Sequence, residues 1–463
     1  MDFLTLIPPM VAIVLAFMTK RVLLSLFVAL ISAEFLLANF HLGDALWSAL
    51  NRFEQLFQEA WIVYALFFSL LVGSIMRLLE ASGGIYGFID YLTHKRQVVK
   101  SPKSALFLGM FTGIVIFIES SLTALIVATV SKPFAHDYKI SKEKIAYVCD
   151  TTSSPICSLM PINGWGVLLI GLLTTTIASL GLKDVTAIEI LFESILYNFY
   201  AFISLIVLAV VIYKDINIFS MKTLTSHYEA KVERRESKHR VRDFLFPIVS
   251  LLVILFASLY FTGWDESTKS YNIMKGDGSK SLFIAVTVTM FLSYILYVTF
   301  GSMTDKLFVD TSWKGIFDLA PVVAILLFAF TFSSVLKDLG TADYLGSLVN
   351  DNIALVLIPS LIFLLSAVMA FATGTSWGTF TIMIPIASAT VDPTLLPLAL
   401  IVGAVVSGGV FGDHTSPISD TTILSSLAAE VDHMNHVKTQ LPYALLSGGI
   451  SLILFFIVTW IWI

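Results

Sequence analysis

Apolar residues in this chain fall into long blocks, at 3–18, 21–40, 61–80, 145–182, 187–213, 243–262, 281–300, 316–336, 395–428 and 442–461. A helix needs roughly 20 residues to cross about 30 Å of hydrocarbon, and soluble cores do not repeat runs of that length. The blocks predict about ten crossings. Two of them, 145–182 and 395–428, are interrupted by clusters of polar residues. Two further stretches, 104–131 and 353–391, are apolar but break near their middles, at Glu119-Ser120-Ser121 and Gly374-Thr375-Ser376. They are expected to be re-entrant hairpins.

Composition agrees with this pattern. Hydrophobic residues make up 57% of the 463 and charged residues only 13%, about half the ~25% of soluble domains. The chain is expected to be an all-α polytopic membrane protein. Lys20 and Arg21 follow the first block and do not precede it, so it reads as a retained span and not as a secretory signal. Cys149 and Cys157 are roughly 12 Å apart along a helix, too far for a disulfide. The net charge of −5 gives no support to nucleic-acid binding.

The placement of the charges matters more than their sum. Lys20 and Arg21, then Lys95, Arg96, Lys100 and Lys103, then Lys132, Lys139, Lys142 and Lys144 all fall in short loops on one predicted side. The 214–242 segment has eight Lys/Arg against four Asp/Glu and falls on the same side. It reads as a cytoplasmic basic linker between two halves, 1–213 and 243–463. Both termini are then extracytoplasmic, in the cell (inner) membrane.

The halves match at Ser74 and Arg77 with Ser334 and Lys337, at Ser121 with Ser376, and at Asp150 with Asp413, in the same order. Each half is expected to hold three spans, a re-entrant hairpin, an interrupted span and a final span. The second half starts from the opposite side, so these are inverted-topology repeats, an architecture of secondary transporters.

The chemistry concentrates in the two interruptions. In GGVFGDHTSPISDTTILSS at 408–426, Pro417 lacks an amide hydrogen, and Gly408, Gly409 and Gly412 disfavour helix. A continuous helix is not expected there. Irregular backbone at membrane depth survives only where it lines a cavity, and carbonyl, hydroxyl and carboxylate oxygens suit a hard cation such as Na⁺. Each Asp costs about 2.5–3.5 kcal/mol at the bilayer centre, so Glu119, Asp150, Asp413 and Asp420 require compensation by a cation or proton. The first interruption, CDTTSSPICSLMPINGWG at 149–166, repeats the order Asp, Thr, Ser, Pro.

Other residues have two readings each. His414 either carries protons or orients the break by hydrogen bonding. Glu119 is a proton or counter-ion candidate or a salt-bridged structural acid. Glu34 and Glu193 fit interfacial or helix-pairing roles, and Trp377 fits packing. Asn163, Trp165, Ser120, Ser121, Thr375 and Ser376 could serve a proton or an organic substrate. The chain has no GxxxxGK[ST] phosphate loop, HExxH zinc pair or GxSxG elbow, so no enzymatic activity is expected.

GDHTSPISDTT at 412–422 resembles the NhaC-type sodium/proton antiporter family, whose members carry a GD-x-x-SP-x-SDTT stretch. SSPICSLMP at 153–161 resembles the family's earlier break. The resemblance implies the fold of the ion-transporter superfamily, with paired hairpins and broken helices moving against a scaffold. It carries over Asp413, Ser416, Ser419, Asp420 and Thr421 as cation-site residues, with Asp150, Thr152 and Ser153 from the matching break. Na⁺ is expected at Asp413, Ser416 and Asp150.

The family also includes carboxylate exchangers and sodium-coupled amino-acid carriers. Two functions therefore follow: Na⁺/H⁺ antiport by alternating access, or Na⁺-coupled transport of a small amino acid or carboxylate. No cofactor is expected beyond Na⁺ and H⁺ as transported or coupling ions. The partners this admits are membrane lipid, a small cation, a small organic solute and a second copy of the chain as a homodimer.

Overall fold

The computed structural model describes residues 2–19, 21–84, 87, 99–117, 120–161, 163–182, 185–224, 226–228, 240–265, 269–273, 276–341, 344, 355–390 and 392–463. Among the described residues the secondary structure is helical apart from a two-stranded ribbon, β1 (Trp264–Asp265) and β2 (Ser270–Tyr271), in antiparallel register with Trp264 opposite Tyr271. Among the described residues, nine helices are long and apolar enough to cross a membrane, or ten when a bent pair is counted as one span.

The first half runs through α1 (Ile7–Thr19), α2 (Val22–Leu37), α3 (Leu42–Leu56) and α4 (Ala60–Ala81). A broken pair follows, α5 (Pro102–Val115) and α6 (Ser120–Ala135). Then come α7 (Lys142–Thr151), α8 (Ser154–Leu159), α9 (Gly164–Ser179), α10 (Ala187–Leu196) and α11 (Phe199–Lys214). The second half has α12 (Arg242–Thr262), α13 (Gly278–Tyr294) and α14 (Asp305–Asp338). It ends with the pair α15 (Ile358–Thr373) and α16 (Ser376–Ser388), then α17 (Leu398–Thr415), α18 (Asp420–Ala428) and α19 (His433–Trp462).

Both expected hairpins are pairs of helices with a break where the polar residues fall. The second turns at Gly374, whose φ of +70° lies in the left-handed region that favours glycine. Ser101 starts α5 with a capping box to Ser104 and Pro102 in the first turn, which stops the preceding chain from entering the helix.

Three boundaries differ from the hydropathy pattern. Helices α14 and α19, of 34 and 30 residues, outrun the expected 316–336 and 442–461, because polar ends continue a helix that hydropathy scores only in its apolar middle. Helix α1, of 13 residues, is shorter than a full span. Helix α3 has no counterpart in the apolar blocks because it is two-faced: Ala45 and Ala49 are buried while Leu46, Trp47 and Leu50 are exposed. It turns from α2 by 117°. From α3, Arg52 pairs with the buried Glu34 of α2 and reaches Asp338 of α14 at 2.7 Å. Glu34 therefore pairs helices, one of its two expected roles.

Helices α4 and α14 form the tightest contact between the halves. Gly73 and Gly315 face each other so closely that a Cβ on either would strike the other's backbone. Ser74 Oγ donates to the Ser312 carbonyl at 2.8 Å, and Arg77 pairs with Asp318 at 2.5 Å. Small residues let membrane helices approach until dispersion and interhelical hydrogen bonds hold them.

The chain just after α11 is anchored. Lys144 bonds Asp215 at 2.5 Å and Asn217 at 3.1 Å, and Ser226 donates to Glu143. Residues 229–239 lie outside the described residues.

Gly73→Leu is expected to destabilise the protein by about 1–3 kcal/mol or more, as overpacking does. Denaturation in detergent micelles checks this, with Gly43→Leu, where a Cβ meets open space, as the neutral control.

Candidate ion and substrate site

The second interruption is narrower than its glycines suggest. Helix α17 continues through Gly408, Gly409, Gly412, Asp413 and His414 to Thr415, and only 416–419 leave the helix. A Cβ at Gly408 or Gly412 would strike the backbone of α15 at Phe363 or Ala367. Close packing against α15 thus offsets the roughly 1 kcal/mol that each glycine costs a helix. The first interruption behaves alike: α7 continues to Thr151, and Pro155 lies in the first turn of α8.

Asp413 consequently sits in the last turn of α17, only 2% exposed. Its Oδ2 accepts from Ser154 Oγ at 3.2 Å and from Ser376 Oγ at 3.0 Å. Its Oδ1 has no hydrogen-bond partner among the described residues. Ser154 opens α8 after the first break, and Ser376 opens α16 at the tip of the second hairpin. One carboxylate thus ties both breaks to a hairpin.

A cavity of about 810 Å³ opens beside Asp413. Its polar wall includes Asp413, Asp420, Thr421, Ser154, Ser120, Thr375 and Ser376. The apolar wall includes Met76, Leu319, Ile325 and Phe328 from α4, α14 and their surroundings, with Trp165 and Trp377 meeting edge-on at 6.0 Å between centroids. Arg21, between α1 and α2, also lines it. Helices α6, α16 and α18 present their N-terminal residues to this space, and helix N-termini favour negative charge.

Asp150 is in a different environment. It is fully buried and does not line the cavity. Its Oδ2 accepts from Thr422 Oγ1 at 2.9 Å and Gln440 Nε2 at 2.7 Å, and lies 3.4 Å from His436 Nε2. His414 bonds at both ring nitrogens, Nδ1 with the Tyr200 hydroxyl at 2.6 Å and Nε2 with Thr151 Oγ1 at 3.3 Å. That geometry fits the orienting role for His414.

Of the expected Na⁺ ligands Asp413, Ser416 and Asp150, only Asp413 reaches the cavity. Ser416 Oγ donates to the Phe371 carbonyl at 2.7 Å, closing the end of α15. Thr152 and Ser153 bond back to the carbonyls of Val148 and Asp150, each at 2.7 Å, as Ser and Thr do in membrane helices. Ser419 pairs with Thr421 at 3.1 Å.

Thr375 caps α16. Asn163 is committed to structure: Oδ1 accepts from the amides of Trp165 and Gly166, and Nδ2 donates to the carbonyls of Phe117 at 2.8 Å and Cys157 at 2.9 Å. Ser121 does not line the cavity, and Glu119 lies outside the described residues.

No group of three or more His, Cys, Asp or Glu side chains that could hold a metal ion occurs among the described residues. A transported Na⁺ at Asp413 would therefore rest on at most two carboxylates, Asp413 and Asp420, with hydroxyl oxygens. Residues not foreseen from the sequence are Ser154, Thr422, Gln440, His436, Tyr200 and Arg21. Some signal was present: His433, His436 and Gln440 in HMNHVKTQ share one face of a helix.

A model of the Na⁺/H⁺ antiporter family matches residues 156–460. An uncharacterized protein of Haemophilus influenzae is 33% identical over 459 residues, covering 95% of this chain and 88% of that protein. The chain belongs to the Na⁺/H⁺ antiporter family. As a member it is a multi-pass membrane protein and a secondary transporter, not an enzyme. The malate-2H⁺/Na⁺-lactate antiporter of Bacillus subtilis is 35% identical over 130 residues, 24% of this chain and 28% of that protein. The solved structure of MtrF from Neisseria gonorrhoeae superposes with a TM-score of 0.65 at 16% identity, covering 89% of this family member and 84% of MtrF. At that identity the likeness is one of fold alone.

Asn163→Ala leaves the amides of Trp165 and Gly166 without their side-chain acceptor, at about 1–3 kcal/mol for each buried group, and takes one donor from each of the Phe117 and Cys157 carbonyls. It is expected to lower the midpoint of thermal unfolding in detergent, whereas Thr421→Ala, at the cavity wall, leaves it near wild type.

Proposed function

We propose that this transporter works by alternating access with Asp413 as its coupling carboxylate, which binds either Na⁺ or a proton. The observation that carries this is Asp413 Oδ1, buried beside the cavity without a partner among the described residues. An uncompensated carboxylate at membrane depth costs about 2.5–3.5 kcal/mol, so a bound cation is favoured at all times. Na⁺ and H⁺ compete for the same oxygen, and that competition makes the transport an exchange. Ser154 and Ser376 donate to Oδ2 and keep lone pairs free to contact Na⁺.

The halves 1–213 and 243–463, joined by the cytoplasmic linker 214–242, fit this scheme as inverted repeats with both termini extracytoplasmic. A reciprocal arrangement supports them: Ser154 from the first half bonds Asp413 of the second, and Thr422 from the second bonds Asp150 of the first.

The cavity favours a second substrate. A dehydrated Na⁺ needs no more room than one water, whose share of liquid is about 30 Å³. A volume of about 810 Å³ suits a small organic molecule. With Arg21 and the helix N-termini to receive a carboxylate, Asp413 and Asp420 to receive a cation, and two tryptophans as apolar wall, the second reading is Na⁺-coupled transport of a small carboxylate or amino acid.

Proteoliposomes holding a pH dye are expected to show a Na⁺-driven pH change, reduced to background by Asp413→Asn without loss of folded protein. Wild-type behaviour in that variant overturns the assignment. A pH change that requires an added carboxylate or amino acid selects the second reading. In that case Trp377→Ala should weaken apparent solute affinity by about tenfold, the loss of ~1.4 kcal/mol of aromatic contact. No Na⁺-dependent flux of protons or any solute would sink both readings.

A further inference from the structure

A second cavity, of about 260 Å³, lies where α9, α14 and α16 end. Helices α9 and α16 run for 16 and 13 residues, so this cavity is roughly 20 Å from their first residues, Gly164 and Ser376, which line the larger one. Leu180, Leu336, Pro385 and Ile386 form an apolar side. Thr176, Ser388 and Lys337 stand in the polar wall, with the exposed Lys337 at the mouth. No acidic side chain lines the cavity among the described residues.

The polar groups here are donors short of acceptors. Thr176 Oγ1 and Ser388 Oγ are buried and make no hydrogen bond among the described residues. Buried polar groups are hydrogen-bonded in more than about 90% of cases, so two such hydroxyls in one wall call for an acceptor. Lys337 Nζ gives one of its three hydrogens to the Ala178 carbonyl at 2.8 Å. It forms no ion pair among the described residues, and its neighbour Asp338 turns to Arg52 at 2.7 Å. Arg77, the matching cation of the first half, is by contrast neutralised by Asp318 at 2.5 Å and Glu80 at 2.9 Å.

Helix C-termini repel anions, and three of them meet here. Their carbonyls are largely taken up. Ala178 accepts from the Gly181 amide as well as from Lys337, Ile177 from the Leu182 amide, and Thr176 from the Leu180 amide and the Ser179 hydroxyl. On α14 the Val335 and Lys337 carbonyls accept from Leu339 and Gly340, and on α16 those of Ile386 and Ala387 accept from Ala389 and Thr390. What the cavity offers a ligand is therefore one positive charge, hydroxyl donors and an apolar side.

We propose that this cavity binds a small organic carboxylate. Lys337 pairs with the carboxylate through its two remaining hydrogens, Thr176 and Ser388 donate to its oxygens, and a short alkyl group rests on Leu180, Leu336, Pro385 and Ile386. An inorganic anion such as chloride leaves that apolar side unused, and Na⁺ meets an ammonium without a carboxylate. The site is distinct from Asp413 and does not depend on which ion Asp413 couples. Because α9 belongs to the first half and α14 and α16 to the second, a bound carboxylate ties the halves together at this end, beside the existing Lys337–Ala178 bond.

Lysine amidination by methyl acetimidate, followed by peptide mass spectrometry, reads access to Lys337 directly. In the full chain in detergent, at constant ionic strength set by sodium sulfate, about 10 mM acetate or lactate should slow labelling of Lys337 about threefold or more. Lys306, exposed on the same helix, should react unchanged. Thr176→Val, which keeps the side-chain shape, and Ser388→Ala should each raise the half-protecting concentration about tenfold, since each removes a hydrogen bond to a charged group. Asp413→Asn should leave the protection intact. No protection by either carboxylate at about 100 mM overturns the proposal. Equal protection by chloride, protection unchanged in both hydroxyl variants, or protection lost in Asp413→Asn also overturns it. Proton flux has no part in this readout, so a failure of the Asp413 reading in proteoliposomes is told apart from a failure here.

Discussion

Asp413 and Asp150, both buried, are each held by a hydroxyl from the opposite half of the chain. Ser154 reaches Asp413, and Thr422 reaches Asp150. Carboxylates are too costly at membrane depth to be left unsupported, so this exchange constrains everything around it. Helix α17 must stop just past Asp413 so that Ser376 can approach. The first break must turn Ser154 towards the other half. Asn163 must then hold the Phe117 carbonyl so that the first hairpin stays beside that break. Interruptions of the helices are thus the means by which two charges are shared between halves.

The surroundings of the two carboxylates set them apart. Asp413 faces a cavity large enough for an organic molecule and lined by acidic, basic, hydroxyl and indole groups. Asp150 faces amide and imidazole in a closed cluster. Under the proposed function, the volume and Arg21 serve a solute and Asp413 serves the cation.

Much of this was legible in the sequence. The apolar blocks, the two hairpins and the two breaks follow from the length and polarity of the runs. Asp413, Asp420, Thr421, Ser120, Thr375 and Ser376, picked out by polarity in an apolar context, do line the cavity. What hid the rest is that a hydroxyl or a glycine has two uses that look alike in one dimension. Thr152 and Ser153 read as ligands but bond to their own helix, while Ser154, beside them, does not. Gly408 and Gly412 read as helix breakers but are contact points inside a helix. Helix α3 escaped notice because an amphipathic helix has no apolar run, and Gln440 because its partners are distant in the chain.

The contact of Gly408 and Gly412 with the backbone of α15 also bears on how the molecule can move. At Gly408 and Gly412 the two helices meet main chain to main chain, and the Phe363 and Phe411 rings stack beside that contact, so the second hairpin and the second broken helix pack as one unit. Under the proposed alternating access, exposing Asp413 to either side would displace that unit along the apolar wall of Met76, Leu319, Ile325 and Phe328. That wall makes few directional bonds and acts as a bearing surface.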